Sequence, residues 1–105
     1  MIRHVVMWRV RGGSAREKQV ARELVRDAFE SLRGRIPGMT RLEIGLDTGA
    51  SDDSCDVVLV SDFVSRGALV AYTVHPEHQR VRGELGDLCV GGHRVDYVVP
   101  EDLLP

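Results

Sequence analysis

Residues 55 to 64, Cys-Asp-Val-Val-Leu-Val-Ser-Asp-Phe-Val, are apolar in both phases of an extended chain, with Cys55, Val57, Leu59 and Phe63 on one side and Val58, Val60 and Val64 on the other. Side chains alternate across a strand, so a segment apolar in both phases needs cover on each face, and it is predicted to be a central strand. A second alternating segment runs from residue 2 to 10, placing Ile2, His4, Val6, Trp8 and Val10 on one face and Arg3, Val5, Met7 and Arg9 on the other. Its better apolar face contains a histidine.

Gly12 and Gly13 end that strand, and Ser14-Ala15-Arg16-Glu17 has the capping-box form that starts a helix. The helix is predicted over residues 15 to 33, with Val20, Ala21, Leu24, Val25, Ala28 and Leu32 as one apolar stripe. Gly34 suits its end, and the Pro37-Gly38 turn leads into a strand over residues 39 to 47, where Leu42, Ile44 and Leu46 share a face. Residues 48 to 54 read as a polar loop. Ser65 caps a second helix carrying Ala68, Leu69 and Tyr72; His75-Pro76 interrupts it, because proline expels its predecessor from helical geometry and fits the first turn of a new helix. After Pro76, His78, Val81, Leu85 and Leu88 fall on one side. The last strand, residues 92 to 99, sets His93, Val95, Tyr97 and Val99 opposite Arg94, Asp96 and Val98.

The order strand, helix, strand, strand, helix, strand predicts an α+β fold of ferredoxin-like βαββαβ type, with helices on one face of a four-stranded antiparallel sheet. The opposite face is expected to present Val5, Met7, Val58, Val60, Val64 and Val98. Such a patch predicts a homodimer formed through the sheet faces, a dimeric α/β barrel with the helices outside.

At 105 residues the chain is one domain, residues 1 to 105, with 100 to 105 as a C-terminal tail carrying Leu103 and Leu104. A net charge of −2 lacks the positive field that nucleic acid requires, so no nucleic-acid partner is expected. Apolar runs are too short to span a membrane, and Arg3 and His4 leave no signal-peptide core, so no membrane partner and a cytoplasmic location are expected. Cys55 and Cys89 read as small hydrophobes without a metal-ligand spacing.

The opening Met-Ile-Arg-His-Val-Val-Met-Trp-Arg-Val, the Ile36-Pro37-Gly38 turn, the segment Ala71-Tyr72-Thr73-Val74-His75-Pro76-Glu77-His78-Gln79 and the closing Val95-Asp96-Tyr97 resemble the stress-responsive A/B barrel (Dabb) family over residues 2 to 99. The resemblance implies the same fold and the same dimer. A plant polyketide cyclase of that family uses a pocket between sheet and helices; its first-strand histidine matches His4, and its tyrosine and the last histidine of its His-Pro-x-His match Tyr72 and His78. The resemblance therefore implies a small, largely apolar or aromatic ligand and a polyketide cyclase-like lyase chemistry, with His78 as acid/base and Tyr72 beside it as the catalytic pair. His4, His75, Val6 and Trp8 are assigned to ligand binding, with no metal and no cofactor. Imidazole suits proton abstraction next to a carbonyl near neutral pH, and a phenol suits stabilising the enolate. The cyclase's first helix supplies a pocket tyrosine, whereas Leu24 to Ala28 offers none here.

Plainer roles stand beside each assignment. His4 can be a core histidine satisfied by a backbone carbonyl, His75 a helix cap, His78 a contact at a helix edge and Tyr72 a core aromatic. His93 reads as surface. Two alternatives in other classes follow: a non-enzymatic stress-response dimer whose motif locks the helix break, and a cofactor-independent oxygenase of the dimeric barrel class, the latter by fold analogy alone.

Overall fold

The structure is a computed structural model and describes residues 1–49 and 51–100; the predicted tail at Leu103 and Leu104 lies outside the described residues. Strand β1 (Ile2–Val10) follows the period-two pattern, with Ile2, His4, Val6 and Val10 buried. The Ser14 hydroxyl accepts the Glu17 N–H at 3.1 Å and the Glu17 carboxylate accepts the Gly13 N–H, opening helix α1 (Ala15–Glu30). The helix stops three residues before the predicted Arg33, where the Ser31 N–H and hydroxyl bond back to the Asp27 and Ala28 carbonyls. The predicted stripe is also corrected. Ala21, Val25 and Leu32 are buried as expected and Ala28 packs against them, whereas Val20 and Leu24 are about half exposed and Phe29 is buried in addition, so the stripe is narrower on one side and extended on the other.

Strand β2 (Met39–Leu46) begins after a turn in which Gly38 has a φ of +80°, and a Cβ there would stand 2.7 Å from that of Ala68. Only glycine fits both demands. Strand β3 (Val57–Phe63) starts two residues later than expected, and helix α2 (Arg66–Thr73) follows the Ser65 cap. Helix α3 (Pro76–Leu85) begins at the predicted break, where the His75 Nδ1 accepts the Glu77 N–H at 3.0 Å. Strand β4 (Cys89–Val98) starts three residues before the expected Gly92. None of the helices among the described residues is long and apolar enough to cross a membrane.

The four strands form an antiparallel sheet in the order β2-β3-β1-β4, so β3 is indeed internal and the chain has the ferredoxin-like α+β fold. The core lies between the helices and the inner face of the sheet, with Val25, Leu32, Leu59, Phe63 and Val81 out of contact with solvent. Asp56 ties this layer together. Its buried carboxylate accepts the Val10 N–H at 2.8 Å and two bonds from the Arg22 guanidinium of α1, at 3.0 and 2.7 Å.

Register decides which residues share a face, because directly opposed residues in antiparallel strands point the same way. His4 pairs with Asp96 and Val6 with Arg94, while Ile2 pairs with Val98. The inner face of β4 is therefore Arg94, Asp96 and Val98, which corrects the expectation that placed Val98 on the uncovered face. The outer face carries Val95 and Tyr97 instead, alongside Val5, Met7, Val58 and Val60, and the Arg3–Asp62 ion pair (2.8 Å) borders it. Helices α1 and α2 pack on the first three strands, and β4 is exposed from Gly91 to Val98.

Candidate functional site

The site is built on neighbouring rows of the inner sheet face. One row runs Leu42, Ser61, His4, Asp96 across the four strands, and the next runs Ile44, Leu59, Val6, Arg94. Beyond them the β1–β4 register shifts between Met7 and Arg9, which brings Gly92 under the Trp8 indole. A Cβ on Gly92 would lie 3.0 Å from the ring, so the missing side chain gives the indole its place. Trp8 stacks on Phe29 of α1 with centroids 5.2 Å apart and planes 13° apart.

Between this sheet face and the helices lies a cavity of about 670 Å³. Its size is in the range of small-molecule sites. His4, Val6, Trp8 and Leu59 line it from the sheet; Phe29, Tyr72, Thr73, His78, Arg82 and Leu85 line it from the helices; Cys89, Gly92 and Arg94 complete the β4 side. Cys89 is half-buried, which pushes its thiol pKa up, and Cys55 is also half-buried and free.

Tyr72 is the centre of an aromatic group. Its ring meets that of His78 edge-on at 4.6 Å, that of His4 edge-on at 6.3 Å, and Phe63 at 5.3 Å. Burial pushes the phenol pKa up to about 12, so it is a hydrogen donor throughout the ordinary pH range. The His78 Nδ1 stands 3.2 Å from the Thr73 carbonyl oxygen. A carbonyl only accepts, so Nδ1 carries the hydrogen and Nε2 holds the lone pair in the neutral ring. Burial lowers the His78 pKa below the ordinary histidine value; the Thr73 bond opposes this, and the nearby charge of Arg82 adds to it.

The buried His4 ring bonds through Nδ1 to the Asp96 carboxylate at 2.5 Å. The partner is thus a side chain rather than the backbone carbonyl of the plainer reading. Beside it the Ser61 hydroxyl is fully buried and has no hydrogen-bond partner among the described residues.

Of the predicted site residues, His4, Val6, Trp8, Tyr72 and His78 come together on the cavity. His75 does not. It is absent from the lining, and its ring caps α3, so its position in the sequence motif reflects the helix break. His93 is exposed on the outer face opposite Met7, as expected of a surface residue. Phe29, Thr73, Arg82, Leu85, Cys89 and Arg94 were missed as lining residues, as was Asp96 as the partner of His4. The i, i+4 spacing of His78 and Arg82 was a usable signal for one of them. Phe29 follows directly on the stretch in which no pocket tyrosine was found.

The sequence profile of the stress responsive A/B barrel domain matches residues 2–99. No curated protein matches the chain. Among solved structures, a dimeric protein of unknown function and ferredoxin-like fold from Bacteroides fragilis NCTC 9343 is 26% identical, with a TM-score of 0.79 over 91% of this chain and 93% of that one. A dimeric ferredoxin-like protein of unknown function from Jannaschia sp. CCS1 is 28% identical, with a TM-score of 0.72 over 93% and 98%. The hydroxynitrile lyase from Passiflora edulis is 19% identical with a TM-score of 0.76 over 99% and 96%, a likeness of fold alone.

Proposed function

The chain belongs to the stress responsive A/B barrel domain family, and from that premise we propose that it acts as a homodimer in which each subunit binds a small, largely apolar organic molecule and transforms it by histidine acid/base chemistry. The observation that carries this reading is the convergence of His4, Tyr72 and His78 on one cavity whose apolar wall includes Val6, Trp8, Phe29 and Leu59. The roles follow from the hydrogen bonds. With its Nδ1 hydrogen held by Thr73, His78 offers Nε2 to a proton next to a carbonyl, and its lowered pKa keeps that nitrogen free at neutral pH. The Tyr72 phenol donates to the oxygen on which the enolate charge develops. His4, held by Asp96, orients the bound molecule. Return of the proton from His78 to carbon or oxygen closes an isomerisation; attack of the enolate carbon on a second carbonyl breaks that carbonyl's π bond and gives a cyclic alkoxide, which takes the proton from His78 and restores the base.

Self-association is supported by the outer sheet face, where Met7, Val95 and Tyr97 are exposed at 38%, 61% and 40%. Two similar structures, from Bacteroides fragilis and Jannaschia, are described as dimeric.

The test is deuterium uptake into the methyl group of 1-acetonaphthone in D₂O, followed by proton NMR. The protein is expected to accelerate uptake, and His78→Ala, folded by circular dichroism, is expected to lose the acceleration. A folded His78→Ala variant of unchanged activity overturns the acid/base role. A variant that fails to fold assigns the residue to structure, and His78→Gln then repeats the measurement with the ring's volume largely kept.

A further inference from the structure

Among the described residues the cavity is lined by two arginines and by neither aspartate nor glutamate. Arg82 lies one helical turn beyond His78 on α3, and Arg94 is on the inner face of β4, next to Val6, so the two guanidinium groups approach the cavity from different elements. Among the described residues Arg82 makes no ion pair, while its near neighbour Arg80 is held by Glu77, Glu84 and the Ser31 hydroxyl. Arg94 makes one loose ion pair among the described residues: its Nε is 3.7 Å from Asp96 Oδ2, beyond hydrogen-bond distance, while Oδ1 of Asp96 bonds to His4. The cavity therefore joins apolar walls to two arginines, Arg82 without an ion pair among the described residues and Arg94 with only the loose one to Asp96, so that the helix side and the exposed β4 side each supply a planar donor fork. Such forks match a carboxylate in shape as well as charge.

We propose that the molecule accepted by this cavity is a carboxylic acid, with its apolar body against Trp8, Phe29, Val6 and Leu59 and its carboxylate between Arg82 and Arg94. The inference rests on the cavity-binding reading above and adds the head group. It separates this chain's specificity from its acid/base group, since neither arginine needs to touch the reacting carbon.

Calorimetric titration of the full chain with 1-naphthoate and with its neutral counterpart 1-naphthamide tests it. A charge-assisted contact near a wet cavity mouth is worth about a tenfold gain in affinity, so naphthoate is expected to bind at least about tenfold more tightly. The preference is expected to shrink with added salt and to disappear in the double variant Arg82→Gln, Arg94→Gln; both side chains are exposed, so folding is not at stake. Equal binding of the two probes overturns the carboxylate assignment and leaves cavity binding standing. Binding of neither probe overturns both. A preference that persists in the double variant overturns the role of the two arginines.

Discussion

His4 of β1 and Asp96 of β4 oppose each other in the sheet and are joined from Nδ1 to Oδ1. Because a carboxylate only accepts, the pair fixes which ring nitrogen of His4 carries its hydrogen. Asp96→Asn replaces it with a group that also donates. The Asn oxygen still accepts the Nδ1–H of His4 but without charge, so its low-field proton resonance is expected to move upfield, with a stability loss of about 1 kcal/mol and hence a fall in Tm of only a few degrees. A wild-type spectrum without that resonance overturns the assigned tautomer.

Acid is expected to inhibit and alkali to spare the proposed deuterium exchange. Burial first, and then the charge of Arg82, hold His78 below its ordinary value, so the base is free at pH 7 and is lost only as pH drops below about 6.5. The phenol of Tyr72, at about 12, remains protonated well above neutrality. A rate profile with one acid limb and a plateau to about pH 10 is the expected result. A second limb between pH 8 and 10 excludes Tyr72 as the donor.

Asp56 is expected to govern acid stability. Burial raises its pKa, but the Val10 N–H and Arg22 outweigh that and hold it below the ordinary carboxylate range. A depressed folded pKa stabilises the fold above the unfolded value, and that contribution disappears as pH falls through the folded value. Asp56→Asn is expected to cost about 3 kcal/mol in urea unfolding at pH 7, since Arg22 loses the charge that compensates it. The gap between variant and wild type should hold down to about pH 4 and close below it.

Ser61→Ala removes a buried hydroxyl that has no partner among the described residues. Replacing such a group by an apolar one is neutral or favourable, so thermal unfolding should show unchanged stability or a gain of up to about 1 kcal/mol. A loss of more than that points to a bonded hydroxyl.

Met7 lies at the middle of the outer face between Val58 and His93. Met7→Arg places a charge where the two subunits are proposed to meet. The variant is expected to sediment as a monomer at micromolar concentration while the wild-type chain sediments as a dimer. A monomeric wild-type chain overturns the proposed assembly.

The order of elements was legible because three signals are local: alternation in residues 2 to 10, the Ser14 and Ser65 caps, and the His75-Pro76 break. The internal position of β3 followed from its two apolar faces. The phase of β4 was not legible. Val95 and Tyr97 read as inward because they are apolar, yet the outer face is apolar too, and Arg94 and Asp96 point inward because the cavity beside them is open. Polarity marks the inside only where one face alone is dry. That single error hid both the partner of His4 and one of the two cavity arginines. The helix stripe was legible at Ala21, Val25 and Leu32 but not at its edge: Val20 and Leu24 suit helical spacing as well as Phe29 does, and only packing against Trp8 chooses between them.

Strand β1 sends His4, Val6 and Trp8 to the cavity and Arg3, Val5 and Met7 to the opposite face. Nine consecutive residues thus encode two surfaces in alternating letters. Point substitutions can alter ligand choice and self-association separately, each within its own set of positions. A one-codon insertion or deletion near the middle of β1 has no such freedom: past that point it exchanges the two sets, burying the wrong letters on both sides at once. This segment should therefore tolerate substitution in either phase far better than any change in length.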